Sequence, residues 1–202
     1  MVTSSLIKIE DVSHVRFRAP DLAEMRRFLI DFGLVPFDGP DGRVYGRGSG
    51  TAPFVHATEQ GEAGFAGLGL RAGSVADLRT LAEAEGVEVR AFEAPGGGEV
   101  VTLTDPDGRP VEVVARQSPV QPLDLPRRAP WNNAAGRDRL RQTKRTGQDP
   151  AHVVRLGHIV LNVSDFRASE RWYKDRFGLI TSDEIALTPE FSSGAFFRCD
   201  RG

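Results

Sequence analysis

The sequence predicts an α+β chain in which βαβββ units are paired once in full and then begun again. Two observations carry this. The first is a stretch written twice: Ser13-His14-Val15-Arg16-Phe17-Arg18-Ala19-Pro20-Asp21 leads through a helical pattern to Phe32-Gly33-Leu34, and Gly157-His158-Ile159-Val160-Leu161-Asn162-Val163-Ser164-Asp165 leads to Phe177-Gly178-Leu179. In each copy a His opens an alternating run, an Asp precedes a helix and Phe-Gly-Leu closes it, the mark of a duplicated supersecondary unit. The second is element order: between residues 9 and 116, short alternating runs and capped helices follow one another as β-α-β-β-β, twice.

Strand one spans Val12 to Arg18, with Val12, His14, Arg16 and Arg18 on one face and Val15 and Phe17 on the other. Asp21 suits a helix N-cap and Glu24 a capping box. Leu22, Met25, Phe28, Leu29 and Phe32 then recur at helical spacing as the face expected to pack on the strands, and Gly33 supplies the left-handed end. Leu34 to Phe37, Arg43 to Arg47 and Pro53 to Thr58 read as strands separated by turn residues. The second unit repeats the order: strand Phe65 to Arg71, a helix capped by Ser74 and Asp77 and ended by Gly86, then strands Val87 to Phe92, Glu99 to Thr104 and Pro110 to Ala115. Asp105-Pro106-Asp107-Gly108 joins the last two as a hairpin.

The composition is that of an ordinary globular protein, at 40% hydrophobic and 27% charged residues, and a net charge of −2 gives no general attraction to nucleic acid or anionic membrane. No apolar run approaches the ~20 residues that span a bilayer. The single Cys199 rules out an intramolecular disulfide and fits a reducing compartment, so a cytoplasmic location is expected.

Tandem βαβββ units, with Asp105-Pro106-Asp107-Gly108 leading into a strand that carries Glu112, resemble the vicinal-oxygen-chelate superfamily of glyoxalase I, bleomycin-resistance proteins and extradiol ring-cleaving dioxygenases. The resemblance implies that the paired units of residues 9–116 curl into a cup-shaped mixed sheet around a central site. By the glyoxalase arrangement, His14, His56 and Glu112 would occupy three of the four metal positions, whereas the fourth falls near Gly67, which has no ligand. Two His and one Glu suffice for a facial triad. In extradiol-type relatives, however, the first domain is a degenerate copy whose ligand positions survive as cavity polar groups. Arg16 and Arg18, with Arg71 nearby, would face the same cup and could meet an anionic substrate.

Residues 117–152 form a linker, proline-rich at its start and basic in its middle through Arg127, Arg128, Arg137, Arg139, Arg141, Lys144 and Arg145. It carries no aromatic interleaving of a nucleic-acid site and reads as a solvated connector. Trp131 is a candidate anchor for it.

Residues 153–202 begin a second module: a strand Leu156 to Val163, a helix with Phe166, Trp172, Tyr173 and Phe177, and strands near Ile180 to Ile185 and Gly194 to Cys199. This is an incomplete copy, and the exposed sheet edge and helix underside would need a cover, so a homodimer or higher oligomer is expected. Gly157-His158-Ile159-Val160, the Trp172-Tyr173 helix and Phe196-Phe197-Arg198-Cys199-Asp200 resemble the catalytic domain of two-domain extradiol dioxygenases. The resemblance makes His158 the first of three ligands in a two-His, one-carboxylate set for Fe(II), with Mn(II), Ni(II) or Zn(II) as other ions. It implies a metal-dependent dioxygenase that opens a catecholic aromatic substrate. The alternatives are a non-catalytic small-molecule binder of the bleomycin-resistance type and a glyoxalase-like isomerase or lyase using the first module.

Overall fold

A computed structural model describes residues 5–125, 151–188 and 191–199. The basic linker residues and Trp131 lie outside this set. The sheet is built outward from β1 (Ile9–Ala19), which pairs in parallel with β4 (His56–Gln60) on one side and antiparallel with β5 (Gly64–Ala72) on the other. Helix α1 (Leu22–Phe32), β2 (Val35–Asp38) and β3 (Val44–Arg47) complete the first unit; α2 (Val75–Glu85), β6 (Arg90–Ala91), β7 (Glu99–Thr104) and β8 (Pro110–Ala115) complete the second. The eight strands run β2-β3-β4-β1-β5-β8-β7-β6, so each unit adds its own four on either side of the antiparallel β1–β5 seam. The expected pair of βαβββ units is therefore present as one mixed sheet.

Local chemistry fixes the helix ends. The Asp21 carboxylate accepts from the amides of Ala23 and Glu24 at 2.8 and 2.9 Å, and the Ser74 hydroxyl accepts from the Asp77 amide at 3.1 Å. These bonds satisfy amides that the first helical turn leaves without partners. Gly33 and Gly86 close the helices at φ 96° and 66°.

Several elements differ from expectation. Phe28 and Phe32 do not join the core: they are 53% and 58% exposed and stack on each other, while Leu29 is the helix residue fully buried. The strand expected over Val87 to Phe92 shrinks to Arg90–Ala91, because this end of the sheet is an edge where pairing holds only at Arg90–Val100 and Ala91–Glu99. The strand expected over Leu156 to Val163 is absent: the segment has no strand neighbour among the described residues and runs unpaired.

The remaining described elements are α3 (Phe166–Phe177) and a separate hairpin of β9 (Ile180–Thr188) and β10 (Phe191–Arg198). The underside of α3 is covered, contrary to expectation. Tyr173 and Phe177 enter the same core as Leu70, Leu78, Leu81, Val101 and Val113 of the second unit. Residues before β1 close the helix end, where the Leu6 and Ile7 amides donate to the carbonyls of Asp175 and Arg176 at 2.8 and 3.0 Å. The Asp105–Gly108 turn holds the approach to α3: Asp107 accepts from the Ser164 amide at 3.0 Å, Arg109 donates to the Asn162 carbonyl, and Asp105 accepts from the Tyr173 hydroxyl at 3.1 Å. The sequence marked that turn as a hairpin connection and gave no sign of its clamp role. On the hairpin, Ile185, Leu187 and Phe196 remain exposed.

Candidate functional site

β1 carries two chemistries because its faces alternate. On one face Phe17 packs against His56 and Phe65; on the other His14 and Arg16 meet Glu112. His14 is completely buried. Its imidazole lies against Gly69 of β5, where any side chain would collide with the ring, so glycine is required there. Phe54 and Phe92 cover the ring, with centroids 4.8 and 5.8 Å away, and Tyr45 packs edge-on to Phe54 at 4.9 Å. Aromatic side chains thus fill the space over the imidazole.

The polar edge of His14 is occupied as well. Its Nε2 donates to Glu112 Oε2 at 2.8 Å, since an ionised carboxylate can only accept, and its Nδ1 lies 3.1 Å from the Ser13 hydroxyl. The other Glu112 oxygen is paired with Arg16. Burial pushes the Glu112 carboxyl up, but the His14 hydrogen bond and the charges of His14 and Arg16 outweigh it and hold the group below the usual carboxylate range. The chain of alternating charge continues from Arg16 to Glu59 at 3.5 Å, Glu59 to Arg43 at 3.0 Å, and Arg43 to Asp41 at 2.9 Å. It ends where the Tyr45 hydroxyl donates to Asp41 at 2.7 Å. Burial first, then the Asp41 hydrogen bond, push Tyr45 up to about 12, which keeps it a donor.

His56 is not part of this arrangement. It pairs with Val15 in register, whereas Ala57 pairs with Arg16, so His56 points to the helix side. There it stacks on Phe17 at 5.4 Å and meets the Thr58 hydroxyl at 2.6 Å. Burial pushes it down to about 4. Phe54 contacts the concave side and His56 the other because β4 becomes regular only at His56; side-chain alternation cannot be carried back across the irregular residues before it. The triad expected from His14, His56 and Glu112 is therefore reduced to His14 and Glu112.

The remaining candidates are scattered. His158 is exposed in the unpaired segment before α3, and His152 is exposed in the connector. Arg16 is held by carboxylates, Arg18 is exposed at the rim, and Arg71 pairs with Glu10 and Asp11 at 3.6 and 3.7 Å. Cys199 is half-buried, and burial pushes its thiol up, away from the reactive thiolate. Sequence reasoning missed Tyr45, Phe54, Phe92, Glu59 and Arg43; only Phe54, two residues before His56, carried a local hint.

No family model matches the chain, and no curated protein matches it. Solved structures do. The Mn(II)-bound glyoxalase from Novosphingobium aromaticivorans superposes with a TM-score of 0.71 at 21% identity, over 95% of this chain and 58% of that one. The 2,3-dioxygenase LapB from Pseudomonas sp. KL28 gives 0.69 at 19%, over 96% and 67%. The substrate complex of homoprotocatechuate 2,3-dioxygenase from Brevibacterium fuscum, with 3,4-dihydroxyphenylacetate, gives 0.69 at 19%, over 100% and 59%. The fold is the one shared by these glyoxalase and dioxygenase structures. The chain spans a little over half to two thirds of the length of these structures.

The glyoxalase structure with this fold holds Mn(II), and the residues around His14 in this chain do not fit a metal. His14 and Glu112 aim their donor atoms at each other, Arg16 supplies the positive charge beside the carboxylate, and no group of three or more His, Cys, Asp or Glu side chains able to hold an ion occurs among the described residues.

Proposed function

We propose that this chain serves extradiol-type oxygenative cleavage of a catecholic ring, with the first module as a structural platform and the metal-dependent part headed by His158. The observation that carries this reading is the closed state of the first cup. A site that bound metal or substrate there would need His14 and Glu112 to separate, Arg16 to withdraw and the Phe54, Phe92 and Tyr45 cover to open. The first two motions would leave buried polar groups without their partners, and the third would expose apolar rings to water. His158, by contrast, is exposed and matches the position of a first iron ligand in the catalytic domains that this part of the sequence resembles.

Fe(II) is the ion this reading expects, with Mn(II), Ni(II) or Zn(II) as substitutes. The described residues assemble no complete ligand set around His158. What the chain itself supplies is placement: the Asp105–Arg109 turn grips Asn162 and Ser164, and Tyr173 and Phe177 fix α3 on the first module. Together they anchor Asn162, Ser164 and α3, which follow the His158 stretch in the chain. The glyoxalase-like and bleomycin-resistance-type readings both use the first cup, and its filled interior supports them less.

The test is metal content and catechol-dependent dioxygen uptake in variants of the protein. Both should fall with His158→Ala and persist with Glu112→Ala in whatever fraction remains folded. Metal and turnover that follow Glu112 and ignore His158 would overturn the assignment.

A further inference from the structure

A cavity of about 750 Å³ lies between the start of α2 and the β6–β7 edge. Its apolar part is made by Val75, Val89 and Ala91, of which Val75 and Val89 also pack on the main core. Its charged part is made by Arg79, Arg90 and Arg116, against a single acid, Glu99. Arg116 reaches Glu99 at 3.7 Å; neither Arg79 nor Arg90 has an acidic partner within ion-pair distance among the described residues. Both of these guanidinium groups are carried by exposed residues at the mouth.

Two features of the backbone serve this cavity. Gly96, Gly97 and Gly98 line one wall with φ of 89°, 58° and 99°, and a side chain at 98 would collide with the end of β8. The Gly97 amide already donates to Ala94, so the loop shapes the wall and the arginines supply the donors. Arg116 has φ 60°, the one non-glycine residue in the left-handed region among the described residues. That conformation is strained for a side-chain-bearing residue, and such strain collects at binding sites. Here it turns the chain directly after β8 and sets Arg116 at the cavity.

We propose that this cavity binds a small organic carboxylate, its apolar body on Val75, Val89 and Ala91 and its carboxylate held by Arg79, Arg90 and Arg116. The planar guanidinium fork matches a carboxylate in two-point contact, which a hydroxyl cannot imitate. The apolar floor distinguishes such a ligand from a bare inorganic anion. Its lining includes none of His14, Arg16 and Glu112, and the proposal does not depend on the function proposed above.

Benzoate is the probe, with benzyl alcohol and inorganic phosphate as its neutral and inorganic counterparts. In titrations of the protein at low ionic strength, benzoate should shift the amide resonances of Gly96–Gly98 and Ser118 saturably, and both counterparts should bind at least about tenfold more weakly. The double variant Arg79→Gln/Arg90→Gln removes two exposed charges that hold no described ion pair, so it should stay folded and lose about tenfold in benzoate affinity. Arg116→Gly separates folding from binding: glycine accepts the left-handed backbone, so the melting temperature should hold or rise while affinity falls. The proposal is overturned if benzoate gives no saturable shift at millimolar concentration, if phosphate binds as well as benzoate, or if the arginine variants bind benzoate unchanged.

Discussion

Helices α1 and α3 end on the same residues and bury opposite amounts of them. Counted back from the closing glycine, Phe32 corresponds to Phe177 and Phe28 to Tyr173. Phe32 and Phe28 are 58% and 53% exposed; Phe177 and Tyr173 are 1% and 7% exposed. Both helices have an Asp N-cap and a left-handed Gly at the end, so local sequence makes both of them equally well. What differs is the neighbour. α1 lies over the β2–β4 side and fills its contact with Leu29, whereas α3 lies beside α2 and inserts its aromatic residues into a core already formed by β5, β7 and β8. Helical spacing identifies a face; only the tertiary partner decides how much of it is covered.

The largest effect expected from this difference is at Phe177. Phe177→Ala removes a fully buried ring packed 5.5 Å from Trp172 and should destabilise the protein by about 3–5 kcal/mol in urea unfolding. Unfolding should remain one transition, because the deleted ring belongs to the common core of both regions. A loss below about 1 kcal/mol, or a separate early transition, would mean that α3 rests on the first module without sharing its core.

The two histidines that open the repeat differ in the same way. His14 sits on a strand with neighbours on both sides, and that pairing places it under Phe54 and Phe92 and against Glu112. His158 has the same sequence setting without paired strands, and it stays exposed. Glu112→Ala leaves Arg16 and His14 without their shared acceptor; with Arg16 and Glu112 side chains 19% and 12% exposed, the cost should be about 2–3 kcal/mol. His158→Ala should change stability by no more than about 0.5 kcal/mol. Equal losses would break the comparison.

These cases mark how far the sequence could be read. Asp21, Ser74 and Asp165 as N-caps, Gly33, Gly86 and Gly178 as helix ends, and the limits of β7 and β8 follow from contacts within a few residues, and all are found. The meeting of His14 and Glu112, 98 positions apart, was approached through family resemblance and is made by the register of Gly69 with both strands. The place of His56 on the helix side depends on the irregular residues before β4, which no sequence pattern marks. The charge ladder through Arg43 and Glu59, and the aromatic cover from Phe92, depend on strand order, to which no local pattern points.

His56 offers a pH test of its place on the helix side. Its unfolded form takes up a proton near 6.5 and the folded form only near 4, so the stability it contributes is complete above pH 6.5 and is lost as pH falls toward 4. Between pH 7 and 5 the loss should be about 2 kcal/mol, read as a falling urea midpoint. Glu112, held below its ordinary value, adds a loss of the same sign at lower pH. His56→Gln should flatten the slope between pH 7 and 5; an unchanged slope would mean that the imidazole is not confined against Phe17 and Thr58.

The smallest effect returns to α1. Phe32→Ala and Phe28→Ala each remove a ring more than half exposed, whose main contact is the other ring at 5.7 Å. A stacked pair at a solvent-facing i, i+4 spacing contributes about 0.5 kcal/mol or less to a helix. Either variant should therefore shift the urea midpoint by about a tenth of the Phe177→Ala effect, and the double variant should cost no more than either alone plus a few tenths. A loss of several kcal/mol at Phe32 that depended on protein concentration would instead show the α1 face covered by another molecule in solution. The contrast with α3 would then lie in which chain supplies the cover, not in whether one exists.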